Sequence, residues 1–353
     1  MGRGVGPRAV DGVPVVLGVL RRLRLVLLGH GRAALDVPEL AAGQTITAAV
    51  HQAIILGGIA LERHREAAAA GQSEPIHQLR VTARRLRASL HLFAGVIHAT
   101  YSRIVERDLI WIAQAAGGVR EREISAVVFR RRAAKLDPVL ADSLGAIYTT
   151  LLRERSLKLH ELQSVVESKR YRALLARLEN PRLRKVYSDT LLSTRAASML
   201  RPITRSVARA GAALDEGSSP RTIHRLRVRI KRLRYALELL SALGGKRCRR
   251  LLSRLEVLQD LLGNLNDLSV ATAWLINFPR TAGAELGAVM AAGAMAQALR
   301  SRSAKLARRS VKAWRKLDKG TAIADALDEI QRHSKTVPVQ TSLLPEIVTE
   351  NAA

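Results

Sequence analysis

The amino-acid sequence predicts an all-α fold, and three observations support this prediction. The stretches between prolines are rich in Ala, Leu, Arg and Glu, which are strong helix formers. The prolines fall mostly where helices are expected to begin or break, as at Pro75, Pro138 and Pro220. No run of alternating β-branched residues is bounded by turn signals, so a sheet is not expected.

In order along the chain, periodicity and breakers predict a series of helices separated by short connections. The predicted helices cover residues 44–70, 75–96, 100–116, 121–136, 139–165, 168–179, 181–212, 220–242, 246–262, 266–277, 283–318 and 321–332. A linker is expected at 211–219, because Ser219 followed by Pro220 supplies an N-cap and a proline at the first helical position.

The two ends of the chain differ in composition from this helical region. Residues 1–38 are rich in glycine at the start and then apolar with arginine interruptions, which favours a poorly ordered extension over a signal peptide. Residues 336–353 are expected to form a flexible tail. Residues 39–335 are therefore predicted to form the helical domain, with halves at about 39–212 and 218–335.

The charge balance points to a polyanionic partner. The 353 residues include 58 Lys and Arg against 30 Asp and Glu, a formal net charge of +28. A charge this far from zero repels itself unless an anion is present.

The single cysteine, Cys248, excludes a disulfide scaffold and a Cys-based zinc site. Arginines interrupt the apolar stretch 15–28, and no run of about 18 uncharged apolar residues occurs, so no membrane span is expected.

The scarcity of aromatic residues narrows the choice of polyanion. Proteins that hold single-stranded nucleic acid usually stack bases on aromatic side chains. Phe, Trp and Tyr make up only 3% of this chain and form no cluster in the sequence. Binding of duplex phosphates remains open, as does a polyanion that has no bases.

An eleven-residue segment that begins at His77 recurs 147 positions later, beginning at His224. The two copies, HQLRVTARRLR and HRLRVRIKRLR, share His, Leu, Arg and Val at the same places, and then a basic residue followed by Arg, Leu and Arg. This spacing is too long for a short-unit solenoid and indicates two related halves. Two such halves imply a pseudo-twofold axis.

Each copy carries a basic stripe beside an apolar stripe when it is drawn as a helix at about 100° per residue. The apolar stripe would anchor the helix in a bundle, and the cations would lie along the edge of a cleft. Like charges four residues apart are unfavourable, so the same unmatched cations in both halves indicate an anionic ligand. Arginine binds phosphate oxygens in a bidentate manner, which favours phosphate over carboxylate.

These motifs resemble the CHAD family, the histidine-bearing α-helical domain of proteins that bind inorganic polyphosphate. The resemblance continues through Arg234–Glu238 and Leu258–Asp267 and covers about residues 40–320. In the first half, the matching segment Gly117–Glu123 has Glu at both acidic positions, where the family has Asp.

The resemblance implies two helical bundles related by a pseudo-twofold, with basic residues around a central groove or cavity. It also implies polyphosphate binding and, in some members, association with polyphosphate granules. The residues that it places at the binding site are His77, Arg80, Arg84, Arg87, His224, Arg227, Lys231 and Arg234. Arg85 and Arg232 fall at the edge of the helical wheel and are expected to be peripheral.

No catalytic signature accompanies these residues. The chain has neither a phosphate-binding loop nor an H-E-x-x-H helix, and neither a metal site nor a cofactor is expected. Some relatives carry a triphosphate-hydrolysing domain with an E-x-E-x-K signature, but the segment 121–125 lacks the lysine. We therefore expect the binding domain alone, without enzymatic activity.

The sequence thus predicts a cytoplasmic, non-enzymatic polyphosphate-binding protein, with possible location at polyphosphate granules and other granule proteins as further partners. One alternative is a nucleic-acid or nucleoid-associated protein, which the pI of about 11.5 favours and the aromatic content disfavours. If the protein binds polyphosphate, nucleic acid is expected to compete for the same site only weakly. A second alternative is a scaffold protein of the granules. The alternative that the sequence favours least is a phosphatase.

Overall fold

The computed structural model describes residues 40–333, apart from 134–135, 188, 216 and 283–284. This part of the chain is mainly helical and contains no strand beyond two isolated bridges, so the all-α prediction is confirmed. The α-helices are α1 (Ile46–Ala69), α2 (Ser73–Leu92), α3 (Ala99–Ala133), α4 (Pro138–Asp142), α5 (Leu144–Glu167), α6 (Lys169–Glu179), α7 (Leu192–Ala212), α8 (Pro220–Leu239), α9 (Lys246–Ala282), α10 (Leu286–Asp318) and α11 (Ala322–His333). The predicted extension 1–38 and the predicted tail 336–353 lie outside the described residues.

Side-chain caps define several helix starts. The Ser219 hydroxyl accepts a hydrogen bond from the Thr222 amide (3.3 Å), and Pro220 occupies the first turn of α8, as the sequence predicts. Thr45 caps α1 in the same way, through the amide of Ala48 (3.3 Å). These caps fix where the two helices begin and therefore the register of the residues that follow.

Two long helices continue where the sequence predicts a break. Helix α3 runs for 35 residues through Gly117 and Gly118, and α9 runs for 37 residues through Gly263. Glycine lowers helix propensity by only about 1 kcal/mol, and packing along a long helix offsets that loss. The predicted boundaries at 116–121 and 262–266 are therefore wrong.

The predicted helix 181–212 is also too long, because α7 begins only at Leu192. In the segment before it, residues 181–184 pair with the turn after α2 and Lys185–Tyr187 form one turn of 3-10 helix. The amide of Arg184 donates to the Val96 carbonyl (2.8 Å), and Leu183 forms an isolated bridge with Ile97. Backbone pairing with a distant segment replaces the helical hydrogen bonds here. Similarly, the predicted helix 139–165 is divided at Ser143 into α4 and α5.

The buried apolar side chains form two clusters. The larger one draws on both halves of the chain and extends from Leu40 to Ile330. The smaller one lies among α3, α5, α9 and α10 and is centred on Phe129 and Phe278. Helix α7 approaches α10 closely at Gly211, where a Cβ atom would lie only 1.8 Å from Trp314. Glycine is therefore required at this crossing.

A buried carboxylate joins α3 to α6. Asp108 is 1% exposed, and its Oδ1 lies 2.7 Å from Arg170 Nη2. Arg177 Nη1 lies 3.6 Å from Oδ2 of the same carboxylate. Arg107 Nε lies 3.5 Å from Oδ1 as well, and all three arginines keep contact with solvent, so Asp108 is neutralised by cations that are themselves partly hydrated.

Candidate anion-binding site

The two repeated helices, α2 and α8, pack against each other and bring their basic stripes together. Arg80 and Arg84 of α2 lie close enough to Arg227 and Lys231 of α8 for their charges to repel one another. We call these four residues the central cation cluster. The helices are separated by more than a hundred residues in the sequence, so only the tertiary fold creates this concentration of charge.

The central cation cluster is shielded from water and is not neutralised by the protein. Arg227 is 7% exposed, and Arg80, Arg84 and Lys231 are partly buried. Within the described residues, none of the four forms an ion pair with a carboxylate. The Nε atoms of Arg80 and Arg227 are buried without a hydrogen-bond partner in the same part of the chain. Asp267 attracts Arg227 and Lys231 electrostatically but forms no ion pair with the cluster among the described residues.

The backbone of α3 covers one side of the cluster. A Cβ atom at Gly117 would lie 3.5 Å from Arg80 Nε, so the guanidinium packs against the glycine itself. Arg120, one turn further along α3, adds its positive charge to the environment of His77 and Arg80, and Glu121 attracts Arg80. Sequence reasoning did not identify Gly117 or Arg120 as part of the site.

Lys231 responds most strongly to this environment. Burial, together with the charges of Arg227, Arg84 and Arg80, lowers the pKa of Lys231 to about 6, against a smaller opposing effect of Asp267. Burial also lowers the pKa of Arg84, but a guanidinium holds its proton far more strongly than an ammonium. At neutral pH we therefore expect Lys231 to be mainly neutral in the free protein, while the arginines stay charged.

The two motif histidines occupy different environments. His77 is partly buried, and that burial lowers its pKa, with Arg120, Arg80 and Lys231 lowering it further and Glu74 opposing them. His224 is exposed, and its Nδ1 lies 3.3 Å from Asn266 Oδ1 on α9. His77 therefore borders the central cation cluster, whereas His224 is exposed to solvent and contacts α9.

The last arginine of each stripe is paired with an acidic residue. Arg87 Nη2 lies 3.1 Å from Glu106 Oε1 on α3. Arg234 pairs with Glu238 and donates from Nε to Gln259 Oε1 (3.0 Å). Each of these two arginines thus has a carboxylate partner, which distinguishes them from the four residues of the central cation cluster.

Arg85 and Arg232, expected to be peripheral, instead cross between α2 and α8. Arg85 Nη2 lies 3.9 Å from Glu238 Oε2, and Arg232 Nη2 lies 3.1 Å from His91 Nε2. The two contacts are reciprocal, because Arg85 and Arg232 occupy the same place in the two motif copies, and His91 and Glu238, which follow the copies, are also 147 positions apart. They hold the two stripes side by side.

Residues 58–276 match the CHAD domain family, and both motif copies lie within this range. The chain belongs to the CHAD family. The resemblance of the motifs is thereby confirmed over more than half of the chain.

Solved structures agree with this assignment at the level of the fold. The CHAD domain from the plant Ricinus communis is similar at 22% identity with a TM-score of 0.63, over 85% of this chain and 95% of that one. PptA from Streptomyces chartreusis is similar at 18% identity with a TM-score of 0.62, over 77% of this chain and 100% of that one. No curated protein matches the sequence.

Two further features of the described region complete this account of the CHAD domain. No three of its His, Cys, Asp and Glu side chains are grouped so that they could hold a metal ion. None of its helices combines the length and the apolar character that crossing a bilayer requires.

Proposed function

We propose that this protein binds inorganic polyphosphate in the central cation cluster, and that it binds the polymer without hydrolysing it. The observation that carries the proposal is the meeting of Arg80, Arg84, Arg227 and Lys231 without a carboxylate partner among the described residues. Membership of the CHAD family supports it, because polyphosphate binding is linked to this family in general.

The energetics of the cluster favour an anionic ligand. A buried charge that lacks its partner destabilises a protein by roughly 3–5 kcal/mol, and here several such charges also repel one another. An anion in contact with both helices removes the repulsion and satisfies the donors that are left unpaired, such as Arg80 Nε and Arg227 Nε. The free protein thus tolerates an arrangement that becomes favourable only when the anion is bound.

The chemistry of the cluster favours phosphate, and its extent favours a polymer. Three of the four cations are arginines, whose planar guanidinium matches two phosphate oxygens at once. The cations come from two helices and continue toward His77 at one end. A chain of phosphates can contact them all together and release its condensed counterions, so affinity should fall steeply with salt.

The aromatic residues of the described region do not favour binding of single-stranded nucleic acid. Trp314 is 2% exposed, Trp274 donates to Glu154 (2.8 Å), and Trp111 lies under Arg170, with 4.3 Å from the guanidinium carbon to the ring centroid. These three rings are engaged in packing or hydrogen bonding, so none of them provides a platform for base stacking.

The test is a titration of long-chain polyphosphate against the wild type and the variant Arg84→Ala/Lys231→Ala. Loss of two cluster cations should weaken binding about 100-fold, since a hydrogen bond to a charged group contributes roughly 1.5–3 kcal/mol. The control, Arg205→Ala/Arg209→Ala, removes two exposed arginines from α7 and should change affinity only slightly. Undiminished binding by the cluster variant would contradict the proposal.

Competition and activity assays address the alternatives. Duplex DNA should displace long-chain polyphosphate poorly, and efficient displacement would favour a nucleic-acid partner. Incubation with polyphosphate and Mg²⁺ should release no orthophosphate above background, whereas release that the cluster variant abolishes would assign hydrolysis to this site. In cells, a tagged chain should leave polyphosphate granules when the polymer is depleted, and a scaffold held by other proteins would remain.

A further inference from the structure

A groove of about 980 Å³ lies between the two halves, among α3, α5, α9 and α10. Its cations include Arg130, Arg131 and Arg132 from the last turn of α3, and Arg302 from α10. We call these four residues the distal cations. The groove is separate from the packing of α2 on α8 that forms the central cation cluster.

The distal cations are not neutralised by the acids of the groove. Glu123, which lines it, is occupied by Arg120 (3.0 Å) and Arg155 (2.8 Å). No carboxylate of the described residues forms an ion pair with Arg130, Arg131, Arg132 or Arg302, and Arg132 Nε is buried without a hydrogen-bond partner there. The groove therefore has an excess of positive charge.

A helix end explains part of this arrangement, because cations in a last turn interact favourably with the helix dipole. That explanation applies to Arg130–Arg132, but it does not apply to Arg302. Arg302 lies in the interior of α10 and faces the same groove from the opposite half. Cations from two elements on one groove indicate a ligand between them.

The groove borders the central cation cluster. Arg120 and Asp267 line the groove, and the charges of both act on Arg80. From Arg120 to Arg131 the path along α3 is about 16 Å, at 1.5 Å per residue. A short anion at the cluster cannot reach the distal cations, whereas an extended polymer can follow the groove to them.

We propose that this groove binds a second stretch of the same phosphate polymer, so that the protein discriminates long polyphosphate from short. The inference rests on the proposed function of the central cation cluster and adds a chain-length preference to it. All four distal cations are arginines, which favours phosphate oxygens over scattered carboxylates. Of the two acidic residues that line the groove, Glu123 is already paired with Arg120 and Arg155, so Asp267 alone opposes the arginines that the polymer meets beyond Arg120.

The test compares long-chain polyphosphate with tripolyphosphate on the full chain, using the variant Arg131→Gln/Arg302→Gln. Both side chains are exposed, so the variant should keep the helical content and melting temperature of the wild type. Affinity for the long polymer should fall about tenfold, given the modest strength of exposed ionic contacts. The dependence of log K on log salt should become shallower by about 1 to 1.5. Affinity for tripolyphosphate should change less than twofold.

Arg205→Gln/Arg209→Gln is the matched control, because it removes the same charge from exposed positions on α7, outside the groove. Equal losses in the groove variant and in this control would overturn the inference, as would equal losses for long and short polymers. Loss of duplex DNA binding with intact polyphosphate binding would also overturn it and would assign the groove to nucleic acid. If the wild type binds neither polyphosphate, the proposed function itself fails, and this outcome is distinct from the others.

Discussion

Lys231 offers a quantitative test of the electrostatics of the central cation cluster. Its pKa of about 6 in the folded protein lies far below the ordinary value of 10.5. Each unit of pKa difference corresponds to about 1.36 kcal/mol, so keeping this lysine in the cluster costs on the order of 5 kcal/mol at pH 7. The substitution Lys231→Met keeps the apolar stem and removes the ionisable group, and it should therefore stabilise the free protein.

The sign of the pH dependence follows from proton binding. Between about pH 6 and 10.5 the unfolded chain binds more protons at Lys231 than the folded one, so the free energy of unfolding of the wild type should rise with pH. Lys231→Met removes this contribution. The advantage of the variant should be largest near pH 6 and should shrink as the pH approaches 10.

Urea unfolding followed by circular dichroism at several pH values measures both effects. Lys312→Met, which replaces an exposed lysine on α10, is the control and should follow the wild type at every pH. A Lys231→Met variant that is no more stable than the wild type at pH 7 would refute the reasoning. The reasoning would also be refuted if the stability of Lys231→Met depended on pH as that of the wild type does. Saturating polyphosphate should stabilise the wild type more than Lys231→Met, because the bound polymer favours the charged lysine.

Three further substitutions test the packing that positions the site. Gly211→Ala should destabilise the protein by about 3 kcal/mol or more in urea unfolding, because its Cβ atom would overlap Trp314. The same change at Gly263, where the added atom meets no other group within 4 Å, should instead stabilise the protein by roughly 0.5–1 kcal/mol. A similar loss of stability at both sites would contradict this packing argument. Asp108→Asn should lower the free energy of unfolding by about 2 kcal/mol, because Arg170 loses its charged partner but stays partly hydrated. A variant as stable as the wild type would show that the ion pairs of Asp108 do not contribute to stability.

The sequence predicts the all-α class correctly but misplaces several helix ends. Those ends are set by tertiary contacts with segments that are distant in the sequence. Glycine at 117 and 263 lowers local helix propensity, yet α3 and α9 continue because packing along their length outweighs it. Conversely, the segment that contains Leu183 has ordinary helix formers but pairs with Ile97, which is distant in sequence. Neither partner can be found from local periodicity.

For the site, the sequence predicts which side chains of one helix lie on the same face, but not which residues of other helices contact them. The repeat and its spacing bring Arg80, Arg84 and the equivalent residues of α8 to one face, and the structure places these faces together. The spacing cannot show that Arg87 is neutralised by Glu106, because that carboxylate comes from α3. For the same reason a single helical wheel placed Arg232 at the periphery, although it contacts His91 across the interface.

The central claim is that the two stripes hold one polymer together, and a double-mutant cycle of polyphosphate binding tests it most directly. Arg80→Gln removes a charge from the first half and Arg227→Gln removes one from the second. If both guanidinium groups contact the same stretch of phosphate, their effects on the binding free energy should be coupled by about 1 kcal/mol or more. Strictly additive losses would mean that the two halves bind independently and would contradict the claim.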